Sequence, residues 1–332
     1  MWLRLKDKDS GQALKLEAIL SEKSISFEKM TVSKEHLYRL PKNSLDLSSK
    51  ELPPGIDLIS NDYPYPLASL EARPERTTIT CRDHEITTNH LTLIAGPCSV
   101  EDAEQINACA AMVAKAGGHI LRGGVFKPRT SPYSFQGMGV EGYRILAQAA
   151  RQYELLSVSE VMDREQISMA SEYIDILQVG SRNMQNYSLL KALGKTRKPI
   201  FLKRGSAATL EEFLLSAEYI LAGGNESVIL CERGIRTFND YQRHTFDVAI
   251  IPELKARTHL PVFADPSHAT GKASMVGEMA KAAVAAGADG IMLEAHVEPE
   301  RAFSDGEQSL DMGMLTSLAK QLRQLHKFLA TT

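Results

Sequence analysis

From residue 91 to the end of the chain, short apolar runs alternate with longer amphipathic stretches. A loop rich in Gly, Pro or charge closes each short run. The strand-like runs are 91–95, 119–125, 155–161, 176–179, 199–202, 227–230, 262–264 and 290–294. Plausible amphipathic helices lie between and after them, among them 103–116, 210–221, 273–286 and 315–329. Eight strand–helix units in roughly 240 residues predict a closed (β/α)8 barrel, a fold of about 250 residues. A doubly wound open sheet is the alternative, but no GxGxxG follows the first run.

Residues 1–75 have a different texture. A strand-like MWLRLK precedes a helical pattern at 13–24, and two further strand candidates follow at 25–31 and 36–40. A stretch thick in Ser, Pro and Asp then runs over 41–65, with a fourth strand candidate at 56–60. This is a small α+β module with no chemistry-bearing cluster. Residues 76–90 alternate as a hairpin would, with Arg82, Asp83 and His84 at the turn. They read as a cap on the bottom of the barrel formed by 91–332.

Composition narrows the function without naming it. Of the 332 residues 43% are hydrophobic and 24% charged, as in an ordinary globular protein. The net charge of −3 lacks the basic excess of a nucleic-acid binder. No apolar run approaches the ~20 residues that span a bilayer, and the N-terminus has no signal-peptide core. Four scattered Cys suit a reducing cytoplasm better than a disulfide framework. Cys81, Cys109 and Cys231 read as packing residues.

In a barrel the chemistry gathers at the C-terminal strand ends. There the sequence puts Cys98 after the first run, His268 after the seventh and Glu294 at the end of the eighth, with Asp305 in the loop beyond. Strands seven, eight and one are neighbours in a closed barrel, so these four side chains can converge. A thiolate, an imidazole and two carboxylates suit one divalent Mn, Fe, Co or Zn ion rather than Mg or Ca. The alternative is a buried packing Cys and a loop hydrogen-bonding His. The same strand ends carry Arg122, Lys127, Arg129, Arg182, Lys203 and Arg233, with Arg204, Arg236 and Lys272 close by. Converging cations are stable where anions sit among them, and this number suits two phosphates and a carboxylate. In Lys127-Pro128-Arg129-Thr130-Ser131 the proline stiffens a loop bearing two cations and two hydroxyls.

Together GPCS, RGGVFKPRTSPYSFQGMG, VGSRNMQN, LKRG, LCERGIRTF, DPSHATGK and SDGEQSL resemble 3-deoxy-D-arabino-heptulosonate 7-phosphate (DAHP) synthase of the type I beta subfamily, over about residues 91–326. The resemblance implies a transferase that condenses phosphoenolpyruvate with erythrose 4-phosphate, the first step of the shikimate pathway. It implies a divalent metal on Cys98, His268, Glu294 and Asp305. Phosphoenolpyruvate would be held by Arg122, Lys127, Arg182, Lys203 and Arg233, and the aldose phosphate by Arg129 and Thr130. Glu160 resembles a family position near the attacking water. Lys127 is the candidate donor to the nascent hydroxyl, and His268 or Glu160 the candidate acceptor of the water's proton. The family is usually a homodimer or homotetramer, with no nucleic-acid or membrane partner.

Three other readings are open at this stage. The sister 3-deoxy-D-manno-octulosonate 8-phosphate synthase resembles this barrel but carries a KANRSS-like loop where this chain has KPRTS. A Schiff-base aldolase would use Lys203 as nucleophile. A non-catalytic sugar-phosphate sensor would have a broken metal set. The chain also departs from the pattern in two places. Ser206 follows LKRG where the family has Met. The ferredoxin-like N-terminal module, which closes over the barrel when an aromatic amino acid binds, lacks a clear second helix, because 48–57 is short and holds two prolines. Residues 1–75 therefore read as a truncated version, with regulation by Tyr or Phe, a structural arm or an oligomer contact as open roles.

Overall fold

A parallel strand covered on both faces reads as an unbroken apolar run, and each short run downstream of residue 91 becomes such a strand. The computed structural model describes residues 1–5, 10–32, 35–41, 52–59, 63–71, 73–127, 131, 133 and 135–331. Eight parallel strands close into a barrel: β7 (Thr92–Gly96), β8 (Ile120–Arg122), β9 (Leu156–Glu160), β10 (Ile176–Val179), β11 (Ile200–Lys203), β12 (Val228–Glu232), β13 (Val262–Ala264) and β14 (Gly290–Glu294). Closure is the pairing of β14 with β7, in register from Gly290 opposite Thr92 to Glu294 opposite Gly96. Helices α2 (Ala103–Lys115), α3 (Val140–Gln152), α4 (Glu165–Tyr173), α5 (Tyr187–Leu193), α6 (Leu210–Ala222), α7 (Ile250–Arg257), α9 (Ala273–Ala285) and α10 (Met312–Leu329) surround it. A short extra helix, α8 (Pro266–Thr270), follows β13. The last helix starts earlier than its apolar pattern suggests, because the Asp311 side chain accepts the Met314 N–H and caps it.

Strand side chains alternate between the barrel interior and the helix layer. Ile94, Ile120, Leu156, Val158, Ile176, Phe201, Ile229, Cys231, Phe263 and Met292 form the interior cluster. Their sequence neighbours, such as Leu93, Ala95, Leu121, Leu177 and Leu202, pack in the outer one. Gly290 leaves room for Phe263, whose ring a Cβ there would strike. The strand expected over 119–125 stops at Arg122. Gly123 and Gly124 instead turn under the loop after β7, where Gly124 N–H donates to Cys98 O at 3.2 Å and a Cβ on Gly124 would lie 2.8 Å from that oxygen.

Upstream, β5 (Ile79–Cys81) and β6 (His84–Ile86) form a hairpin turned by Arg82 and Asp83, with Arg82 at φ 49°. Its Ile79, Cys81 and Ile86 join the interior cluster from the N-terminal end of the strands. The first segment is a four-stranded antiparallel sheet in the order β2-β3-β1-β4, from β1 (Trp2–Leu5), β2 (Glu28–Val32), β3 (Glu35–Arg39) and β4 (Ile56–Ile59). Helix α1 (Ser10–Glu22) covers it through Ala13, Leu16 and Leu20. Residues 48–51, part of the stretch 48–57 that stands in place of a second helix, lie outside the described residues; 52–59 hold a turn at Pro54–Gly55 and then β4. Among the described residues no helix is long and apolar enough to cross a membrane.

The strap joining sheet to barrel is tied by backbone polar groups. Leu67 and Ala68 N–H donate to the Glu218 carboxylate of α6 at 2.9 and 2.8 Å. Buried His259 donates from Nε2 to Leu67 O at 2.8 Å, and its Nδ1 accepts from the Thr77 hydroxyl at 2.6 Å. Both bonds suit the neutral ring, and burial pulls its pKa down to about 4. The folded pKa lies below the unfolded one, so this contribution is present above about pH 6.5 and is lost as pH falls through about 4. It is worth on the order of 3 kcal/mol. Melting temperature is expected to fall over that window, and to fall less in His259→Gln; parallel curves for the two proteins would reject the assignment.

Candidate active site

Extending the interior alternation one step past the apolar layer gives Arg122, Glu160, Gln178, Lys203, Arg233, Asp265 and Glu294, each two residues beyond an inward apolar side chain. The barrel fold thus turns seven polar side chains toward its C-terminal mouth. Five of them line a cavity of about 620 Å³, together with Lys127, Arg182, Arg236, Arg243, His268 and Asp305.

On one wall, the ligand atoms of Cys98, Glu294 and Asp305 lie within 4.8 Å of one another. Cys98 Sγ lies 3.1 Å from Asp305 Oδ2 and 2.9 Å from Lys127 Nζ, which also donates to Cys98 O at 2.9 Å. His268 meets this group through Glu294, its Nε2 lying 3.2 Å from Glu294 Oε1. On its other side His268 Nδ1 lies 2.7 Å from Asp265 Oδ2. Glu294 further binds Arg122 and Gln308, and Asp265 binds Lys203.

The charges of this wall fit a cation. Burial, with Glu294 adding to it, pushes the Cys98 thiol up to about 11. Burial pulls His268 down, toward the neutral ring, against the pull of Asp265 and Glu294. Burial works to raise the carboxyls of Glu294 and Asp305, but His268 together with Arg122 or Arg243 outweighs it; Asp305 falls to about 2. A neutral imidazole has one N–H, yet His268 stands between two carboxylates. A cation completes that arrangement, and a divalent ion does so while deprotonating the thiol. Among the described residues this group is therefore a possible metal site.

Cations gather around the same cavity. Arg122, Lys127, Arg182, Lys203, Arg233, Arg236 and Arg243 line the cavity against the carboxylates of Glu160 and Asp305. Buried Arg233 makes no hydrogen bond or ion pair with a described residue, and burial lowers its pKa. A buried guanidinium in that condition favours an anionic ligand. Glu160 accepts from Gln178 Nε2 at 3.3 Å, and a Cβ at position 180 would strike its carboxylate, so Gly180 makes its place.

Not every cation picked out along the chain belongs here. Arg204 follows the inward Lys203 and so faces out, where it forms a buried cluster with Glu232 and Asp247 at 2.9 and 2.8 Å. Lys272 donates to Tyr241 O at 2.6 Å outside the cavity. Arg129 and Thr130 lie outside the described residues; Ser131 beside them lines the cavity. Asp265, Gln308 and Arg243 also belong to the site; the first two lie in DPSHATGK and SDGEQSL without having been given a role, and Arg243 lies in no motif. Arg243 reaches Asp305 Oδ1 at 3.2 Å and Gln308 Oε1 at 3.0 Å.

Residues 77–331 match the family described as DAHP synthetase I. The chain belongs to the DAHP synthetase I family. It is 47% identical to the phospho-2-dehydro-3-deoxyheptonate aldolase of Thermotoga maritima, over 79% of this chain and 78% of that one. Members of the sister group are more distant. The 2-dehydro-3-deoxyphosphooctonate aldolase of Syntrophobacter fumaroxidans is 31% identical, over 74% of this chain and 90% of its own. The crystal structure of a Thermotoga maritima DAHP synthase superposes on this DAHP synthetase I chain with a TM-score of 0.80 and 38% identity, covering 99% and 97% of the two chains. A truncated form of the Thermotoga enzyme gives 0.75 and 42%, covering 80% and 97%.

Proposed function

We propose that the protein joins phosphoenolpyruvate, erythrose 4-phosphate and water into 3-deoxy-D-arabino-heptulosonate 7-phosphate with release of phosphate. The observation that supports this reading is that the Cys98, Glu294 and Asp305 group and the cations Arg122, Lys127, Arg182, Lys203 and Arg233 gather at one cavity. The heptonate relative's higher identity and the KPRTS loop favour this product over its octulosonate homologue. An ion pair with Asp265 makes Lys203 an anion anchor rather than a Schiff-base nucleophile.

Arg122, Lys127, Arg182, Lys203 and Arg233 are assigned to phosphoenolpyruvate, and Arg129 and Thr130 to the aldose phosphate. Cys98, His268, Glu294 and Asp305 would hold one divalent ion, with Mn, Fe, Co and Zn all compatible with these donors. Such an ion, when bound, supplies a Lewis acid that polarises the aldehyde oxygen. The enol carbon of phosphoenolpyruvate forms a bond to the aldehyde carbon, and positive charge develops at C2, where water adds. Lys127 donates a proton to the former aldehyde oxygen, which becomes the new hydroxyl. Glu160 takes the proton of the water, because both ring nitrogens of His268 already face carboxylates. The hemiketal phosphate then collapses: the C2–O bond to phosphate breaks as the C2 carbonyl forms, the hemiketal hydroxyl's proton passes to the departing phosphate, and the cations hold that anion. Four free, buried cysteines are in keeping with a reducing cytosol.

Release of inorganic phosphate is expected to require both substrates, to stop with EDTA and to return with added divalent metal. Turnover that survives EDTA, or that accepts arabinose 5-phosphate in place of erythrose 4-phosphate, would overturn the assignment. Tyr, Phe or prephenate in the same assay tests the N-terminal sheet for an inhibitor site. Mass in solution tests the dimer or tetramer.

A further inference from the structure

We infer that Asp265 is a positioning residue that couples the imidazole of His268 to the ammonium of Lys203, linking metal affinity to phosphoenolpyruvate binding through one carboxylate. The inference rests on the reading above, in which His268 holds the metal and Lys203 the substrate anion.

Asp265 is fully buried between β13 and α8. Its Oδ1 accepts the His268 backbone N–H at 2.9 Å, capping α8 and fixing where the imidazole starts. Its Oδ2 faces His268 Nδ1 at 2.7 Å and also takes the Lys203 ion pair. Lys203 Nζ lies 3.5 Å from the same ring nitrogen, so one oxygen serves two cationic or proton-bearing partners. By accepting from Nδ1–H it selects the tautomer whose Nε2 lone pair points toward Glu294 and the metal group. Because the oxygen is shared, drawing Lys203 toward a bound carboxylate or phosphate leaves more of its charge for His268. Coupling of this kind is reciprocal: metal and substrate each alter the affinity of the other.

The test uses the whole chain with Co(II) as the metal probe. Asp265→Asn removes the charge, and Asp265→Ser removes it while keeping a good helix cap. Both are expected to weaken Co(II) binding 10- to 100-fold in chelator competition and to shift the Co(II) absorption bands. Both should also raise KM for phosphoenolpyruvate more than KM for erythrose 4-phosphate. Lys203→Met should change Co(II) affinity with Asp265 present and have a smaller effect when combined with Asp265→Asn, a non-additive cycle. Variants that lose only melting temperature, with Co(II) affinity and spectrum unchanged, would overturn the inference. If neither Asp265 variant folds, Lys203→Met alone decides: a shifted Co(II) spectrum supports the coupling and an identical one rejects it. Wild-type protein that binds no Co(II) defeats the metal reading itself, a result distinct from normal binding that the variants leave untouched.

Discussion

Cys98→Ala is expected to cost tight metal binding and to reduce kcat/KM on the order of a thousandfold, equivalent to about 4 kcal/mol of transition-state stabilisation. Cys98 is the one soft donor in the group, and its sulfur lies among Asp305, Lys127 and the Glu294 carboxylate. Burial holds its proton on up to about pH 11 without a metal, despite the nearby Lys127 ammonium. A metal must displace that proton, so affinity for it should rise with pH. Without the sulfur, His268, Glu294 and Asp305 remain as a harder set whose preference shifts toward oxygen-loving ions. Metal analysis after dialysis, beside the phosphate-release assay, checks both halves. Full occupancy by the same metal in Cys98→Ala would remove Cys98 from the ligand set.

Lys127→Met should lower kcat by roughly 10²- to 10⁴-fold, the range for loss of a positioned general acid. The metal should stay bound, because Lys127 meets the group only from outside, through Cys98 Sγ and O. That contact holds the ammonium beside the Cys98 group at the cavity, where a proton is needed at the oxygen that becomes the new hydroxyl. Met keeps the length of the stem and removes the donor. Metal content has to be measured in the same preparation, because loss of the nearby positive charge also changes thiolate stability. Near-normal turnover with full metal would retire Lys127 as the donor and leave it an anion contact.

Most of the architecture was legible because most barrel strands are apolar on both faces and each ends in a polar loop; β9 is the exception, with Ser157 and Ser159 on its outer face. Cys98 is far in sequence from Glu294 and Asp305, yet closure of β14 onto β7 brings the three together as the barrel topology required. Arg204 was less readable: adjacent to Lys203, it looks equivalent until alternation sends it outward to Glu232 and Asp247. The same alternation could have identified Asp265, which lies two residues past the inward Phe263. Its contacts to His268 and Lys203 depend on the one-turn helix α8, which no periodicity reveals. The end of the strand at Arg122 was signalled by Gly123 and Gly124, but the reason, close approach to the Cys98 carbonyl, is a tertiary fact.

The hairpin beneath the barrel has a consequence for molecular traffic. Ile79, Cys81 and Ile86 plug the floor under Phe201, Phe263 and Met292, so the reaction chamber is a blind well. Reactants come in and product and liberated phosphate go out over the same rim. The guanidinium-lined wall that attracts an incoming phosphorylated sugar also slows the exit of the spent anion, so arrival and departure compete for one doorway.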